Sequence, residues 1–223
     1  MLRFRPGSKY LFYSAMTLFL VFPFAQMDSW AGVALRIGLF LTLLTALWSV
    51  ADRPAHLFAG GFLVAMAVLT NLLVITTDDG KYIPISLTCV GLFAFLVCQV
   101  RVQASLRSSE VSAESLYSAV TAYMVAAVGF ACLFQLCESA HPGSFEGTFH
   151  PNRFFPGPGM SDMIYFSICN LTNTGHSGIM AIDPLARNLA NLEMLFGTLY
   201  PTIILARLVG LHTATDTLRQ SRP

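Results

Sequence analysis

Six long apolar runs constrain this chain more than any other feature of its sequence. They cover residues 10–26, 32–50, 55–76, 82–100, 111–137 and 184–210. Each run is close to the roughly 20 residues that a helix needs to cross the hydrocarbon core of a bilayer. The chain is 55% hydrophobic and 11% charged, whereas soluble domains are about 45–50% apolar and about 25% charged. The sequence therefore predicts an all-α membrane protein with six transmembrane helices.

The distribution of basic residues predicts the orientation of these helices. With the N-terminus inside, nine Lys and Arg side chains lie on the cytoplasmic side and three lie outside. The nine are Arg3, Arg5, Lys9, Arg53, Arg101, Arg107, Arg207, Arg219 and Arg222, and the three are Lys81, Arg153 and Arg187. Because cytoplasmic loops carry the basic excess in membrane proteins, we expect a multi-pass protein of the cell inner membrane, surrounded by lipid, with both termini cytoplasmic.

Charge, cysteines and motifs exclude several functional classes. A net charge of +1 lacks the clustered basic face that a nucleic-acid partner needs. The five cysteines are spread through apolar runs, a pattern that indicates neither a disulfide framework nor a metal site. The sequence contains no nucleotide-binding loop, HExxH pair or nucleophile elbow. We therefore expect no enzyme activity and no bound cofactor.

A short helix followed by polar backbone is predicted between the fifth and sixth runs. Ser161 is a plausible N-cap and Asp162 lies in the first turn, where the helix dipole favours a negative charge. From there to Leu171 a helix is about 15 Å long, half of a membrane. The following residues read TNTGHSG, and such backbone is tolerated at membrane depth only inside protein or beside a water-filled cavity. The pattern predicts a re-entrant pore helix and loop.

These residues resemble a known family. The pattern Asp162-x-x-Tyr165-Phe166-Ser167 with Thr172-x-Thr174-Gly175 resembles the pore helix and selectivity filter of the bacterial tetrameric potassium-channel superfamily. The sixth run is similar to the inner helix of that family, with Gly197 where the family's helix flexes during gating. The resemblance covers residues 161–211. It implies a homotetramer in which main-chain oxygens replace the hydration shell of a monovalent cation, K⁺ or Na⁺.

The resemblance places an ion-binding filter at seven positions, of which five depart from the family pattern Thr-Thr-Val-Gly-Tyr-Gly-Asp. The seven positions are Thr172, Asn173, Thr174, Gly175, His176, Ser177 and Gly178. Ser177 stands where the family has a glycine with positive φ, which costs another residue roughly 1–2 kcal/mol. Asn173 offers both a ligand oxygen and two donors, so four copies either bind an ion or bond to one another and close the passage. We expect weakened potassium selectivity.

Three residues outside the segment 172–178 are candidates for supporting the filter, namely Tyr165, Phe166 and Glu193. The resemblance implies that Tyr165 and Phe166 of the pore helix support it, and His176 either braces the filter from behind or faces the axis, where it titrates near neutral pH. Glu193 lies at a membrane depth where a carboxylate is by default a functional candidate. A structural contact behind the pore helix is the favoured interpretation for Glu193.

The chain divides into three predicted parts. Residues 1–110 form four peripheral helices, residues 111–211 the pore domain and residues 212–223 a cytoplasmic tail. The fourth run contains no Arg or Lys, so the peripheral helices lack the charges of a voltage sensor. The tail is too short for a ligand-binding domain, and regulation from the cytosol requires a separate protein.

Three functions are compared. A passive monovalent cation channel is the leading hypothesis. The alternative is a channel-like scaffold or sensor that does not conduct because its filter is sealed. A secondary transporter is disfavoured, since the sequence shows one interrupted membrane segment rather than the paired broken helices of inverted repeats.

Overall fold

In a computed structural model, the structure describes residues 8–21, 42–48, 54–77, 80–107, 112–149, 157–175 and 178–220. Seven helical segments, a short 3₁₀ turn at Gly80–Tyr82 and two short strands make up these residues. In chain order the helices and strands are α1 (Ser8–Val21), α2 (42–48), α3 (Pro54–Thr77), α4 (Ile83–Arg107), α5 (Ala113–Ala140), β1 (Phe145–Gly147), α6 (Met160–Leu171), β2 (Ile179–Ala181) and α7 (Pro184–Gln220).

Four of the described helices are long and apolar enough to cross a membrane. Their spans are Pro54–Val74, Gly80–Leu106, Ala113–Ala140 and Pro184–Gly210, and they coincide with the third to sixth predicted runs. This agrees with an all-α membrane protein. Much of the first two predicted runs, 10–26 and 32–50, lies outside the described residues, so the count of six crossings stays a prediction.

Helix α5 is the centre of the packing. It contacts α1, α4, α6 and α7. Its buried positions are mostly small, including Ala122, Ala126, Ala131 and Cys132, and small residues let neighbouring membrane helices approach closely. In α4, Gly91 has the same role, because a Cβ at that position would lie only 3.2 Å from the Cβ of Cys132. Helices α6 and α7 are therefore positioned against α5.

Helix α6 is held against α5 by three buried aromatic rings. The ring centroid of Phe134 lies 5.0 Å from that of Phe166 and 5.8 Å from that of Phe145, and Phe145 lies 5.4 Å from Phe166. All three pairs meet edge to face, the favourable geometry for aromatic rings. The three rings join α5, β1 and α6 into one core.

The chain after α6 returns to the end of the molecule where α5 stops. Strand β2 pairs antiparallel with β1, with Phe145 opposite Ala181 and Gly147 opposite Ile179. Because β1 follows the C-terminal end of α5, the pairing places β2 and the start of α7 at that same end. The far end of α6 contacts Gly197, which is the middle residue of the span Pro184–Gly210.

The predicted start of α6 is wrong by one to two residues. Its N-cap is Gly159 and the helix begins at Met160, whereas Ser161 was expected to be the cap. The carboxylate of Asp162 accepts the main-chain N–H of Gly159 at 3.1 Å. A side chain at the third helical position that reaches back to the cap residue satisfies an otherwise unpaired donor, so Asp162 rather than Ser161 secures this helix start.

Helix α7 extends beyond the predicted span. It begins after Asp183, whose carboxylate accepts the main-chain N–H groups of Leu185 at 2.7 Å and Ala186 at 3.3 Å. It then continues to Gln220 and contains Pro201 in its interior. Helix α7 thus includes residues 212–220 of the predicted tail, and the cytoplasmic location of residues 212–223 stays a prediction.

The aromatic core predicts the effect of a large-to-small substitution. Phe134→Ala is expected to lower the free energy of unfolding by about 3–5 kcal/mol, because it leaves a cavity among packed rings. The measurement is thermal or denaturant unfolding of the purified protein in detergent. Phe62→Ala is the control, since Phe62 is 66% exposed on α3. Equal losses in the two variants would contradict the assigned core.

Candidate functional site

Helix α6 ends in a Schellman motif centred on Asn173. The main-chain N–H of Thr174 donates to Cys169 O at 3.0 Å, and that of Asn173 donates to Asn170 O at 3.0 Å. Asn173 has φ 54, the left-handed conformation that this motif requires and that asparagine tolerates better than most residues. Sequence reasoning considered only the side chain of Asn173 and missed this backbone role.

All four C-terminal carbonyls of α6 have hydrogen-bond partners. Ile168 O accepts the Thr172 N–H at 2.9 Å and the Thr172 hydroxyl at 2.7 Å. The Schellman motif occupies the carbonyls of Cys169 and Asn170. The fourth carbonyl, Leu171 O, accepts the hydroxyl of Tyr123 from α5 at 2.6 Å. Helix ends otherwise leave these groups unpaired, and a bilayer supplies no water to pair them.

The residues immediately after α6 differ from the helix end in this respect. Thr172, Asn173, Thr174 and Gly175 are exposed, and their main-chain oxygens accept no hydrogen bond from the described residues. Gly175 has φ 67, which favours glycine. The segment 172–175 is therefore an exposed stretch beside the end of α6 whose carbonyl oxygens have no hydrogen-bond partner among the described residues.

The rest of the predicted filter is described only at its far end. His176 and Ser177 lie outside the described residues, so the orientation of the imidazole and the expected strain at Ser177 stay predictions. Gly178 is exposed with φ 68. Its carbonyl accepts the N–H of Thr148 at 3.1 Å, and this bond attaches the end of the filter to the chain that follows β1.

The side chain of Asn173 is hydrogen-bonded to α7. Its Nδ2 donates to the hydroxyl of Thr198 at 3.0 Å and to Met194 O at 3.5 Å, both on α7. The amide nitrogen is thus engaged within its own chain. The amide oxygen accepts no hydrogen bond from the described residues.

A polar contact lies behind α6, between it and two membrane-spanning helices. The hydroxyl of Ser167 hydrogen-bonds Ala127 O of α5 at 2.8 Å and also the Oε1 of Glu193 on α7. The side chain of Glu193 is fully buried, and Asn170 lies beside its carboxyl group. The structure therefore places Glu193 in contact with the buried side of α6 rather than at the exposed segment 172–175.

The two aromatic residues predicted to support the filter have different environments. Phe166 is 5% exposed and belongs to the aromatic core with Phe134 and Phe145. Tyr165 is 51% exposed and interacts with Cys169 on its own helix. Phe166 holds α6 in place, whereas a supporting role for Tyr165 stays a prediction.

Gly197 permits a close contact between α7 and the end of α6. A Cβ at this position would overlap the carbonyl group of Leu171. Four residues later Pro201 lies inside the helix, and a proline has no N–H to donate to the carbonyl of Gly197. The hinge role of Gly197 stays a prediction. Sequence reasoning missed Pro201, although a proline within an apolar run was a visible signal.

An aromatic stack fixes α7 to α5 at the level of Gly197. The ring centroid of Tyr200 lies 6.2 Å from that of Tyr123 and 5.3 Å from that of Phe196, and both pairs are nearly parallel. The hydroxyl of Tyr200 donates to Ala119 O at 3.0 Å. Sequence reasoning did not identify Tyr123 or Tyr200, because residues so far apart in the chain share no local pattern.

Comparison with known proteins does not add a family to these observations. No protein-family model matches the chain, and neither the curated proteins nor the solved structures contain a match. The similarity to potassium channels therefore rests on the residues quoted above, and the site is interpreted from its own geometry.

Proposed function

We propose that this protein is a tetrameric channel that conducts monovalent cations passively across the membrane, with K⁺ or Na⁺ as the permeant ion. The observation that carries the proposal is the exposed segment 172–175, whose main-chain oxygens accept no hydrogen bond from the described residues. The proposal includes the cell inner membrane as the location and cytoplasmic termini, on the basis of the nine-to-three distribution of basic residues.

The depth of the segment supports an aqueous path. Leu171, the last residue of α6, contacts Gly197 at the middle of one span and Tyr123 near the middle of another. The chain then returns to pair β2 with β1. A helix that enters to mid-membrane and a strand that returns on the same side form a re-entrant hairpin. Carbonyls left unpaired in hydrocarbon at that depth cost several kcal/mol each, so the proposal places these oxygens beside water and ions.

The surface of α7 supports assembly around an axis. Asn191, Thr198 and Thr202 are exposed in the single chain, and their spacing of seven and four residues places them on one helical face. Polar side chains within a membrane span face a water-filled cavity or a neighbouring subunit. Only 22% of the α7 span is buried within one chain, against 61% of the α5 span. Further copies of the chain would supply the missing neighbours.

The environment of Asn173 favours conduction over the sealed alternative. Sealing by Asn173 requires its amide groups to bond to their symmetry copies. In each chain the amide nitrogen already donates to Thr198 and Met194, which leaves the oxygen as the free group. A ring of amide oxygens attracts cations and offers no donor to the other copies of Asn173, whereas sealing by His176 concerns a side chain outside the described residues.

Weak selectivity is the first prediction for the reconstituted protein. In liposomes, we expect K⁺, Na⁺ and Cs⁺ to pass with a K⁺-to-Na⁺ permeability ratio below about ten, which corresponds to less than about 1.4 kcal/mol of discrimination. The reason is that the cap at Asn173 and the departures at residues 176–178 leave fewer coordination sites than the family's filter has. Ion-flux assays with each cation give the ratio.

Thr174→Lys tests whether these fluxes use the segment 172–175. A positive charge from each subunit in the path should abolish cation flux. Thr76→Lys is the control, since Thr76 is exposed near the end of α3 and far in sequence from the proposed path. Flux that survives Thr174→Lys unchanged, or a strong preference for K⁺ in the unmodified protein, would contradict the proposal.

Restoration of the family residues is expected to raise the preference for K⁺. The combined variant is Asn173→Thr, His176→Tyr, Ser177→Gly and Gly178→Asp. Asn173→Thr alone should instead destabilise the end of α6 by roughly 1–2 kcal/mol, because a β-branched residue is poorly suited to φ 54. Asn173→Gly is its matched control, since glycine keeps the backbone conformation and loses only the side-chain bonds. Flux ratios and thermal unfolding distinguish the two effects.

A further inference from the structure

The carbonyl group of Leu171 differs from the other three at the end of α6. The first three are bonded by residues that follow them directly in the chain. Leu171 O depends on another helix, because its donor is the hydroxyl of Tyr123 on α5 at 2.6 Å. Leu171 is 2% exposed, and the next residue, Thr172, is exposed. The bond therefore fixes the peptide group directly before the exposed oxygens.

Two helices enclose this carbonyl. On the side of α7, Gly197 lies so close that any side chain there would overlap it. On the side of α5, the ring of Tyr123 is stacked on Tyr200, which limits the positions that its hydroxyl can take. The carbonyl of Leu171 thus points into the contact between α5 and α7, away from the exposed face of residues 172–175.

We propose that Tyr123 is a positioning residue that sets the ion selectivity of the path by keeping the Leu171 carbonyl out of it. This inference rests on the proposed channel function. With Tyr123 in place, the innermost main-chain oxygen available to an ion is that of Thr172. Without its donor, the Leu171 carbonyl is buried and unpaired, which is unfavourable. Rotation of the Leu171–Thr172 peptide toward the aqueous path relieves that cost; it also breaks the bond from the Thr172 N–H to Ile168 O, an oxygen that keeps the Thr172 hydroxyl as a donor.

The rotated peptide has a defined effect on permeation. Each of four chains would add one carbonyl oxygen, so the path would gain a complete ring of ligands. Oxygen rings replace the hydration shell of the passing ion, and K⁺ gives up its water more readily than Na⁺. Removal of the Tyr123 hydroxyl is therefore expected to increase the preference for K⁺.

The experiment compares two single hydroxyl deletions in the full-length protein in liposomes. Tyr123→Phe removes the donor to Leu171 and retains the aromatic stack, and the K⁺-to-Na⁺ permeability ratio should rise about fivefold. That factor corresponds to about 1 kcal/mol, the typical net contribution of one hydrogen bond. Tyr117→Phe is the matched control, because it removes a tyrosine hydroxyl from the same helix, at a ring that packs against Phe12 and Tyr13 of α1. Its ratio should equal that of the unmodified protein.

The outcomes separate this inference from the proposed function. Equal losses of thermal stability in both variants with no change in either ratio would overturn the inference and leave the channel intact, as would equal changes in both ratios. If the unmodified protein passes no cation, both the proposed channel function and the proposed role of Tyr123 are wrong. If Tyr123→Phe fails to assemble, Gly197→Ala tests the same carbonyl by displacing it from α7, and an unchanged ratio in that variant overturns the inference.

Discussion

The need to pair main-chain polar groups inside a bilayer determines the structure around α6. A helix that ends near mid-membrane has four carbonyls that find no N–H partner within the helix, and hydrocarbon contains no hydrogen-bond donor for them. Here the residues after the helix satisfy three, and Tyr123 satisfies the fourth. Asn173 adopts a left-handed conformation because the cap requires it. The helix end is fully paired, whereas the oxygens of residues 172–175 have no partner among the described residues; in the proposed channel, water or an ion is that partner.

The pairing at the end of α6 depends on the packing of the rest of the helix. Small residues on α5 allow its neighbours to approach, and the rings of Phe134, Phe145 and Phe166 set the position of α6 along it. Ser167 adds a polar connection to α5 and to the buried Glu193 of α7. A buried carboxyl group without hydrogen bonds is strongly unfavourable, so this contact orients α6 about its axis as well as stabilising it. Orientation matters because it decides which side of the helix end faces Tyr123.

The sequence predicts the elements of this site better than it predicts their contacts. Hydropathy and length locate four spans. The glycine, proline and polar residues at the two ends of the segment 159–172 locate a half-length helix to within two residues. Both predictions succeed because they depend on local properties of the sequence. The contact of Glu193 behind α6 was expected, since a carboxylate within a span needs a polar partner. The partner of Leu171 was not, because Tyr123 lies 48 residues away and an aromatic residue in an apolar run looks like any other core residue. The resemblance also directed attention to the side chain of Asn173. The helix cap, however, determines the backbone conformation of this residue.

Gly197 illustrates how one residue can meet two requirements that conflict. Its lack of a side chain permits flexing, which the resemblance emphasises, and also permits the contact with Leu171 that the structure contains. Bending of α7 at Gly197 would disturb that contact and, through it, the start of the exposed oxygens. The stack of Phe196 and Tyr200 with Tyr123 further ties this level of α7 to α5. At Pro201 the helix ladder is already interrupted, because the carbonyl of Gly197 has no N–H from that residue. The interruption of the ladder therefore lies at the same level as the contact with Leu171, and in the proposed channel flexing of α7 there would couple its movement to the ion path.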